Sequence, residues 1–258
     1  MNAPPLLQVH QCTIRFGGVT ALNALDLQIH PGQLFGLIGP NGAGKTTAFN
    51  LITGLYHPSA GEIVFDGTNL RSCHRHRINH LGIARTFQNI RLFKAMSVLE
   101  NVMVAMHRHT QRNFLPALLG LPSAEANRRT VENLALQWLS DFGLAEVRHE
   151  EAGSLAYGKQ RRLEIVRALA TGPKLLLLDE PAAGMNPQEK TALKELIRQI
   201  KKQYGLTILI IEHDMNVMME LCERIAVLDY GVKIAEGTPE SVRQDQKVIK
   251  AYLGEPAQ

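Results

Sequence analysis

Cysteines and long apolar runs are both scarce in this sequence, and each scarcity excludes a class of protein. The three cysteines, Cys12, Cys73 and Cys222, are far apart and form no CxxC pair. Neither a disulfide framework nor a zinc site is therefore predicted, and a reducing cytoplasm is the expected compartment. The longest clean apolar runs, 175–178 and 208–211, are far shorter than the roughly 20 residues of a membrane-spanning helix. We therefore expect a soluble chain.

An excess of charge of one sign is lacking too, and so is a secretory signal at residues 1–7. The chain has 28 Lys and Arg against 24 Asp and Glu, a formal net charge of +4, and the basic residues are scattered among acidic ones. No nucleic-acid partner is predicted from this pattern, which is compatible with a phosphate ligand or an anionic membrane face. With 258 residues, 45% of them hydrophobic, we interpret the chain as one domain with an inserted lobe.

The apolar pattern predicts an α/β fold. Residues 7–16 and 24–29 alternate apolar and polar side chains, which predicts antiparallel strands, and Pro31-Gly32 then forms a turn before the continuously apolar segment 34–38. Further strands are predicted at 175–178, 207–211 and 225–228. Helical stretches separate these strands, and such alternation is typical of a mostly parallel sheet.

The middle of the chain is predicted to be helical. From Ser123 to Phe142 apolar side chains recur at three- and four-residue steps, and Gly143 closes this helix. We therefore expect a helical lobe at 89–160. The apolar segment 114–121 is expected to pack on that lobe or on a partner subunit.

One cluster of possible metal ligands is assigned no chemistry. Cys73, His74, His76 and His80 lie close together in the sequence, but no second ligand cluster accompanies them. We expect this segment to be an exposed connector rather than a metal site.

A glycine-rich loop follows the segment 34–38 and precedes a helix predicted over 48–55. It matches the pattern GxxxxGK[ST] in full, so its glycines let backbone N–H groups face phosphates at a helix N-terminus. Lys45 is expected to pair with the β- and γ-phosphates of ATP, and Thr46 to ligate Mg²⁺. The predicted nucleotide-binding residues of this loop are Gly39, Pro40, Asn41, Gly42, Ala43, Gly44, Lys45, Thr46 and Thr47.

Two carboxylates follow the aliphatic segment 175–178, which has the composition of a buried parallel strand. Ligands of α/β sheets bind at this end of the strands. Asp179 is expected to hold Mg²⁺ through water, and Glu180 to orient and deprotonate the attacking water. Strands also end in acidic turn residues for purely structural reasons, and the intact glycine loop is what favours the catalytic interpretation.

The segment just before residues 175–180 resembles the signature of one particular protein family. Residues 154–170 read SLAYGKQRRLEIVRALA, and ABC ATPases carry their LSGGQ signature at this place. The segment is similar to that of the LivG-type ATPases of branched-chain amino acid importers, which have an LAYG variant. Further matches to the family, in order and at its spacing, lie at 85–88, 91–93, 179–187, 211–215 and 251–255.

The resemblance implies roles for several other residues. Phe16 would stack on adenine, Gln88 would link Mg²⁺ and the γ-phosphate to the membrane partner, and His213 would contact the γ-phosphate. Residues 183–186 would form a loop that crosses to the other protomer, although Asn186 replaces the Asp common there. The signature loop that would act on the partner's ATP comprises Leu155, Ala156, Tyr157, Gly158, Lys159 and Gln160.

This signature loop departs from the family pattern at three positions. Ala156 replaces Ser, Tyr157 replaces Gly, and Lys159 stands where Gln is common. Because Ala156 has no hydroxyl to donate to the partner's γ-phosphate, we expect a different, paired ATPase subunit to complete the complex, with a homodimer as the alternative.

The resemblance also implies an architecture. The expected fold is a P-loop NTPase core of the ABC ATPase type, with an N-terminal antiparallel β region and an inserted helical lobe. A single domain over 1–258 would contain the nucleotide-binding core at 6–88 and 161–240. The helical lobe with its signature loop would lie at 89–160, and a helical tail at 241–258.

The implied partners are a second ABC ATPase subunit, two membrane permease subunits and, indirectly, a periplasmic or extracellular binding protein. The expected location is the cytoplasmic face of the membrane. Other functions stay open: the ATPase of a different transporter, such as a lipid or lipopolysaccharide exporter, and a non-transport ATPase of DNA repair or translation. The DNA-repair class carries long heptad arms and the translation class two cassettes, and this chain has neither. A binding-only subunit with feeble hydrolysis is also compatible with the altered signature.

Overall fold

The computed structural model describes residues 4–110 and 122–253. Its contacts divide the chain into two units. The core unit comprises residues 1–85 and 174–258, and the helical unit comprises residues 86–173. The helical unit extends beyond the predicted 89–160 at both ends.

A four-stranded antiparallel sheet opens the core unit, with strand order β2-β1-β4-β5. Its strands are β1 (Leu7–Phe16), β2 (Val19–Ile29), β4 (Ala60–Phe65) and β5 (Thr68–Asn69). The predicted antiparallel region is confirmed, but β2 begins five residues before the predicted 24–29. Irregular register between β1 and β2, with Ala24 at φ 48°, interrupts the polar and apolar alternation and conceals the first part of β2.

A six-stranded sheet contains the other strands of the core unit, which are β3 (Leu34–Ile38), β6 (Ile83–Arg85), β7 (Leu175–Asp179), β8 (Thr207–Ile211), β9 (Arg224–Asp229) and β10 (Val232–Gly237). Their order in the sheet is β10-β9-β3-β8-β7-β6. All neighbours are parallel except β9 and β10, which confirms the predicted mostly parallel sheet. Every residue of β3, β7 and β8 is buried, which is why these strands are almost entirely apolar.

Register brings the functional ends of these strands together. Leu37 of β3 and Asp179 of β7 both pair with Ile211 of β8, which lies between them. The segments that follow the three strands therefore start at the same edge of the sheet, as the carboxyl ends of parallel strands do.

Nine helices lie in the described part of the chain. They are α1 (Lys45–Ile52), α2 (Arg75–Leu81), α3 (Val98–Thr110), α4 (Pro122–Asp141), α5 (Tyr157–Leu169), α6 (Pro187–Tyr204), α7 (Met215–Leu221), α8 (Pro239–Gln244) and α9 (Gln246–Leu253). Within the described residues, none of them is long and apolar enough to cross a membrane.

Two local predictions are only partly correct. The helix predicted over 48–55 is α1, which begins at Lys45 because Gly44, at φ 99°, is the last loop residue, and ends before Gly54 at φ 68°. The segment predicted to be an exposed connector contains the buried Cys73 and the helix α2. The described residues contain no cluster of three or more His, Cys, Asp or Glu that could hold a metal ion.

The helical unit is built from α3, α4 and α5, which pack on one another. The predicted helix from Ser123 is confirmed by α4, and Gly143 follows its end at φ 65°. The buried Asn101 joins the preceding loop to α3, because its amide group donates to the carbonyls of Phe93 and Ser97 and accepts from the Phe93 N–H. The apolar segment 114–121 lies outside the described residues.

Candidate functional site

The glycine loop 39–44 joins β3 to α1 and has a shape that depends on glycine. Gly39 and Gly44 adopt φ angles of 152° and 99°. A Cβ at Gly39 would lie 2.1 Å from the carbonyl oxygen of Leu228, and one at Gly44 would lie 2.7 Å from that of Ala21. Neighbouring backbone therefore excludes side chains at these two positions, and the loop leads into the N-terminus of α1, where backbone N–H groups can bind an anionic phosphate.

Lys45 lies at the base of this loop and is only 5% exposed. Its Nζ donates to the carbonyl oxygens of Gly39 at 2.6 Å and Pro40 at 2.8 Å. Burial lowers the pKa of Lys45, and the nearby charge of Glu180 opposes that shift. A phosphate entering the loop would offer the ammonium group a charged acceptor in place of two neutral carbonyls.

The other loop residues divide into exposed and anchored positions. Asn41 and Thr46 are exposed, and Thr47 is half-buried. Ala43 is buried, and its carbonyl accepts a 3.0 Å hydrogen bond from the N–H of Gly231. The turn between β9 and β10 thus supports the loop from behind.

Arg85 and Asp179 form a buried ion pair at the end of β7. Arg85 Nη2 donates to Asp179 Oδ2 at 2.5 Å, and both side chains are at least nine-tenths buried. Arg85 Nη1 also donates to Asn50 Oδ1 at 2.6 Å, and the guanidinium lies 5.4 Å from the ring centroid of Phe49. Arg85 therefore compensates the charge of the predicted metal ligand and ties it to α1.

Glu180 and His213, predicted separately from the sequence, are in direct contact. His213 Nε2 lies against Glu180 Oε1. Glu180 is 8% exposed and has a left-handed backbone at φ 46°, which is strained for a residue with a Cβ. Its N–H donates to the Ile211 carbonyl at 2.9 Å, so the ends of β7 and β8 hold this carboxylate in place.

Phe16, predicted to stack on adenine, is the last residue of β1 and is 46% exposed. Its ring makes an edge contact with Tyr56 at a centroid distance of 5.0 Å and an interplanar angle of 71°. An edge contact leaves ring surface available for stacking.

The predicted signature loop lies in the helical unit at the start of α5. Ala156 is the N-cap of this helix and forms no side-chain capping bond, whereas Gln160 Nε2 closes the loop on the Leu155 carbonyl at 2.7 Å. Leu155 is buried, and Ala156, Tyr157 and Lys159 are exposed. Gly158 and Gln160 are half-buried.

Gln88 also lies in the helical unit, where a buried ion pair fixes its backbone. Arg161, which is fully buried, donates to the carbonyls of Phe87 at 2.7 Å and Gln88 at 2.8 Å, and to Glu164 Oε2 at 2.7 Å. Glu164 Oε1 accepts from the N–H groups of Phe87 and Arg91. Burial raises the pKa of Glu164, and Arg161 opposes that shift. The sequence analysis missed this pair, because the backbone groups that it binds, at Phe87, Gln88 and Arg91, are more than 70 residues away.

The loop 183–186 continues from Glu180, whose carbonyl accepts from the Ala183 N–H at 3.2 Å. Asn186 caps α6 in a reciprocal capping box with Glu189. Asn and Asp are about equally good N-caps, so the departure from Asp preserves this local structure.

Comparisons with known proteins agree with this geometry. The sequence model of the ABC transporter family matches residues 22–183, and that of the branched-chain amino acid ATP-binding cassette transporter matches residues 232–258. The high-affinity branched-chain amino acid transport ATP-binding protein BraF of Pseudomonas aeruginosa is 47% identical to this chain, over 97% of the chain and 98% of BraF. LivG of Escherichia coli K12, described in the same words, is 45% identical over the same shares. The ADP conformation of MJ1267, an ATP-binding cassette of an ABC transporter, has a TM-score of 0.84 and 30% identity, covering 98% of this chain and all of that one.

Proposed function

Because the chain belongs to the family of ABC transporter ATP-binding proteins, and is therefore an ATPase, we propose that it energises an importer of branched-chain amino acids. The observation that carries the substrate class is the similarity to BraF and LivG along nearly the whole of all three chains. The match of 232–258 to a segment typical of branched-chain amino acid cassettes supports it independently of the nucleotide site.

The proposed reaction begins with the phosphates of ATP in the glycine loop. Lys45 exchanges its hydrogen bonds to Gly39 and Pro40 for bonds to the β- and γ-phosphates, and the loop N–H groups hold the remaining oxygens. Phe16 stacks on the adenine ring. These contacts bind and orient the nucleotide before any bond changes.

Glu180 acts as the general base in this proposal. It accepts a proton from water while the water oxygen attacks the γ-phosphorus and the bond to the leaving ADP oxygen breaks. His213 holds the Glu180 carboxylate in place and contacts the γ-phosphate. Gln88 would link the γ-phosphate to the membrane partner. The carboxylate is already fixed in the protein, so little reorganisation is needed at the moment of reaction.

The donor set at this site fits Mg²⁺. The exposed Thr46 hydroxyl is a hard oxygen ligand, the Asp179 carboxylate would hold the ion through water, and Mg²⁺ in nucleotide sites takes only one or two protein ligands beside phosphate and water. When bound, Mg²⁺ would neutralise negative charge on the phosphates.

The partners in this proposal are a second ATPase subunit, two permeases and a binding protein, assembled at the cytoplasmic face of the membrane. The signature loop of each ATPase acts on the ATP of the other. ATP binds the closed dimer better than the open one, so its binding favours closure, and loss of the γ-phosphate allows reopening. A heterodimer is proposed because Ala156 removes a hydroxyl from one of the two shared sites.

Transport by the assembled complex tests this function. The chain would be reconstituted in vesicles with the permeases and second ATPase encoded beside it, and ATP-dependent uptake of leucine, isoleucine and valine would be compared with uptake of lysine and glutamate. We expect uptake of the branched-chain amino acids alone, and none when the chain carries Lys45→Ala. Preferential uptake of another solute would refute the substrate class, and undiminished uptake with Lys45→Ala would refute the role of this chain as the motor.

A further inference from the structure

Glu212 is a buried carboxylate that the proposed reaction does not use. It follows β8 directly, is 4% exposed, and forms no ion pair in the described part of the chain. Burial raises the pKa of Glu212, and the charge of Glu180 raises it further, against the effect of the backbone N–H groups around it. An acidic group in such surroundings is costly to the fold, so its contacts need an explanation.

Those contacts bridge two segments that flank the catalytic carboxylate. Glu212 Oε1 accepts from the N–H of Ala182 at 2.5 Å, and Oε2 accepts from the N–H of His213 at 3.1 Å. Ala182 lies two residues after Glu180, and His213 touches Glu180. One side chain therefore binds the backbone on both sides of the contact between Glu180 and His213.

An ion pair joins the same two segments further along. Lys190 of α6 donates to Asp214 at 2.7 Å, and the Asp214 side chain also caps α7. The segment after β7 and the segment after β8 are thus joined at Glu212 and again at Asp214. Of these two links, only the one through Glu212 binds the backbone on both sides of the contact between Glu180 and His213.

We propose that Glu212 is a positioning residue that holds His213 in register with Glu180 by binding the backbone of both flanking segments. A carboxylate suits this task because both of its oxygens accept, whereas the amide of Gln accepts with one oxygen only and its NH₂ group would face a backbone N–H. Glu212 itself touches neither ATP nor water in this role. Its effect on hydrolysis passes through His213.

Glu212→Gln tests the proposal, with Glu236→Gln as the matched control. Glu236 is also a largely buried carboxylate of the core unit, but it accepts from Lys233 and Arg224 at the edge of the sheet. Both variants lose one charge with the same change of shape. We expect Glu212→Gln to bind ADP with an unchanged Kd and to hydrolyse ATP with a kcat lowered about tenfold and an unchanged KM, as expected when an interaction made in the transition state is lost. Glu236→Gln should retain the wild-type kcat.

A double-variant cycle separates positioning from a general structural effect. If Glu212 acts through His213, then Glu212→Gln should change kcat by less than about twofold when His213→Ala is already present. The same loss in both backgrounds, or a kcat near the wild-type value in the single variant, would overturn the proposal. Loss of ADP binding by Glu212→Gln would overturn it too, because the residue would then maintain the fold.

Hydrogen exchange on the wild-type chain tests the Glu212 contacts without measuring activity. Hydrogen exchange should find the amides of Ala182 and His213 protected in the wild type, and exchange of either amide at the rate of an open loop would refute the bridge. The inference rests on ATP hydrolysis by this chain, and failure of that premise is recognised separately, since the wild type and Glu236→Gln would then be inactive as well.

Discussion

Replacement of Arg85 by Met should destabilise the core unit far more than loss of a surface ion pair. The guanidinium is the cation paired with Asp179, and both side chains are at least nine-tenths buried. Met retains much of the apolar stem beside Phe49 but leaves the Asp179 carboxylate without its counter-ion and Asn50 without a donor. Breaking a buried pair in this way costs about 3–5 kcal/mol.

Urea unfolding followed by circular dichroism measures this cost. The only tryptophan, Trp138, lies in α4 of the helical unit, so its fluorescence would not report on the core unit directly. With a slope of about 2–3 kcal/mol/M, a loss of about 3–5 kcal/mol lowers the unfolding midpoint by roughly 1–2.5 M.

Two control variants distinguish the loss of a buried counter-ion from the loss of an exposed ion pair. Arg198→Met removes one member of the exposed pair with Glu195 and should cost less than about 1 kcal/mol. Arg85→Met combined with Asp179→Asn removes both buried charges and should recover most of the stability. The prediction would be refuted if Arg85→Met lowered the free energy of unfolding no more than Arg198→Met does, or if the double variant were as unstable as Arg85→Met alone.

Three further predictions concern nucleotide affinity, turnover and pH. Phe16→Ala should weaken ATP binding by about 1 kcal/mol in a fluorescence titration and Phe16→Tyr should be nearly neutral; an unchanged Kd for the alanine variant would assign Phe16 to packing with Tyr56. Ala156→Ser should raise the ATPase rate of the isolated chain, because the new hydroxyl can donate a charge-assisted hydrogen bond to the partner's γ-phosphate, and such a bond is worth about 1.5–3 kcal/mol. Full activity of the isolated chain with no gain from Ser or from the partner subunits would indicate a self-sufficient homodimer. The hydrogen bond from Lys190 lowers the pKa of Asp214, so this pair stabilises the fold above the ordinary Asp pKa and ceases to do so as pH falls through the lowered value. Asp214→Asn, which still caps α7, should therefore have a lower melting temperature than the wild type at neutral pH and the same melting temperature in strong acid. A difference in melting temperature that stays constant at all pH values would contradict this.

Contiguous features of this chain could be predicted from the sequence. The loop 39–47 has its whole pattern in one stretch, and β3, β7 and β8 are almost entirely apolar because both faces of the sheet are covered. Asp179 and Glu180 follow directly from the end of such a strand. The start of α1 at Lys45 was harder to predict, since propensity favours a later start after so many glycines.

Contacts between distant segments could not be predicted in the same way. Arg85 and Asp179 are 94 residues apart, and Glu212 meets Ala182 across 30 residues. The first contact depends on β6 lying beside β7 and the second on β7 lying beside β8, although these paired strands are far apart in the sequence. Their signal in the sequence is a charged residue at the carboxyl end of a strand, as the last residue of β6 at Arg85 and directly after β8 at Glu212, where burial makes a partner necessary.

In the proposed reaction Lys45 binds the nucleotide and Glu180 performs the hydrolysis. These two roles are distinguished by measuring ATP affinity and steady-state turnover for the wild type, Lys45→Ala and Glu180→Gln. We expect Lys45→Ala to abolish nucleotide binding, whereas Glu180→Gln should bind ATP as the wild type does and turn over about 10²- to 10⁴-fold more slowly, which is the usual contribution of a positioned general base. An equal loss of ATP affinity in both variants would contradict this expectation.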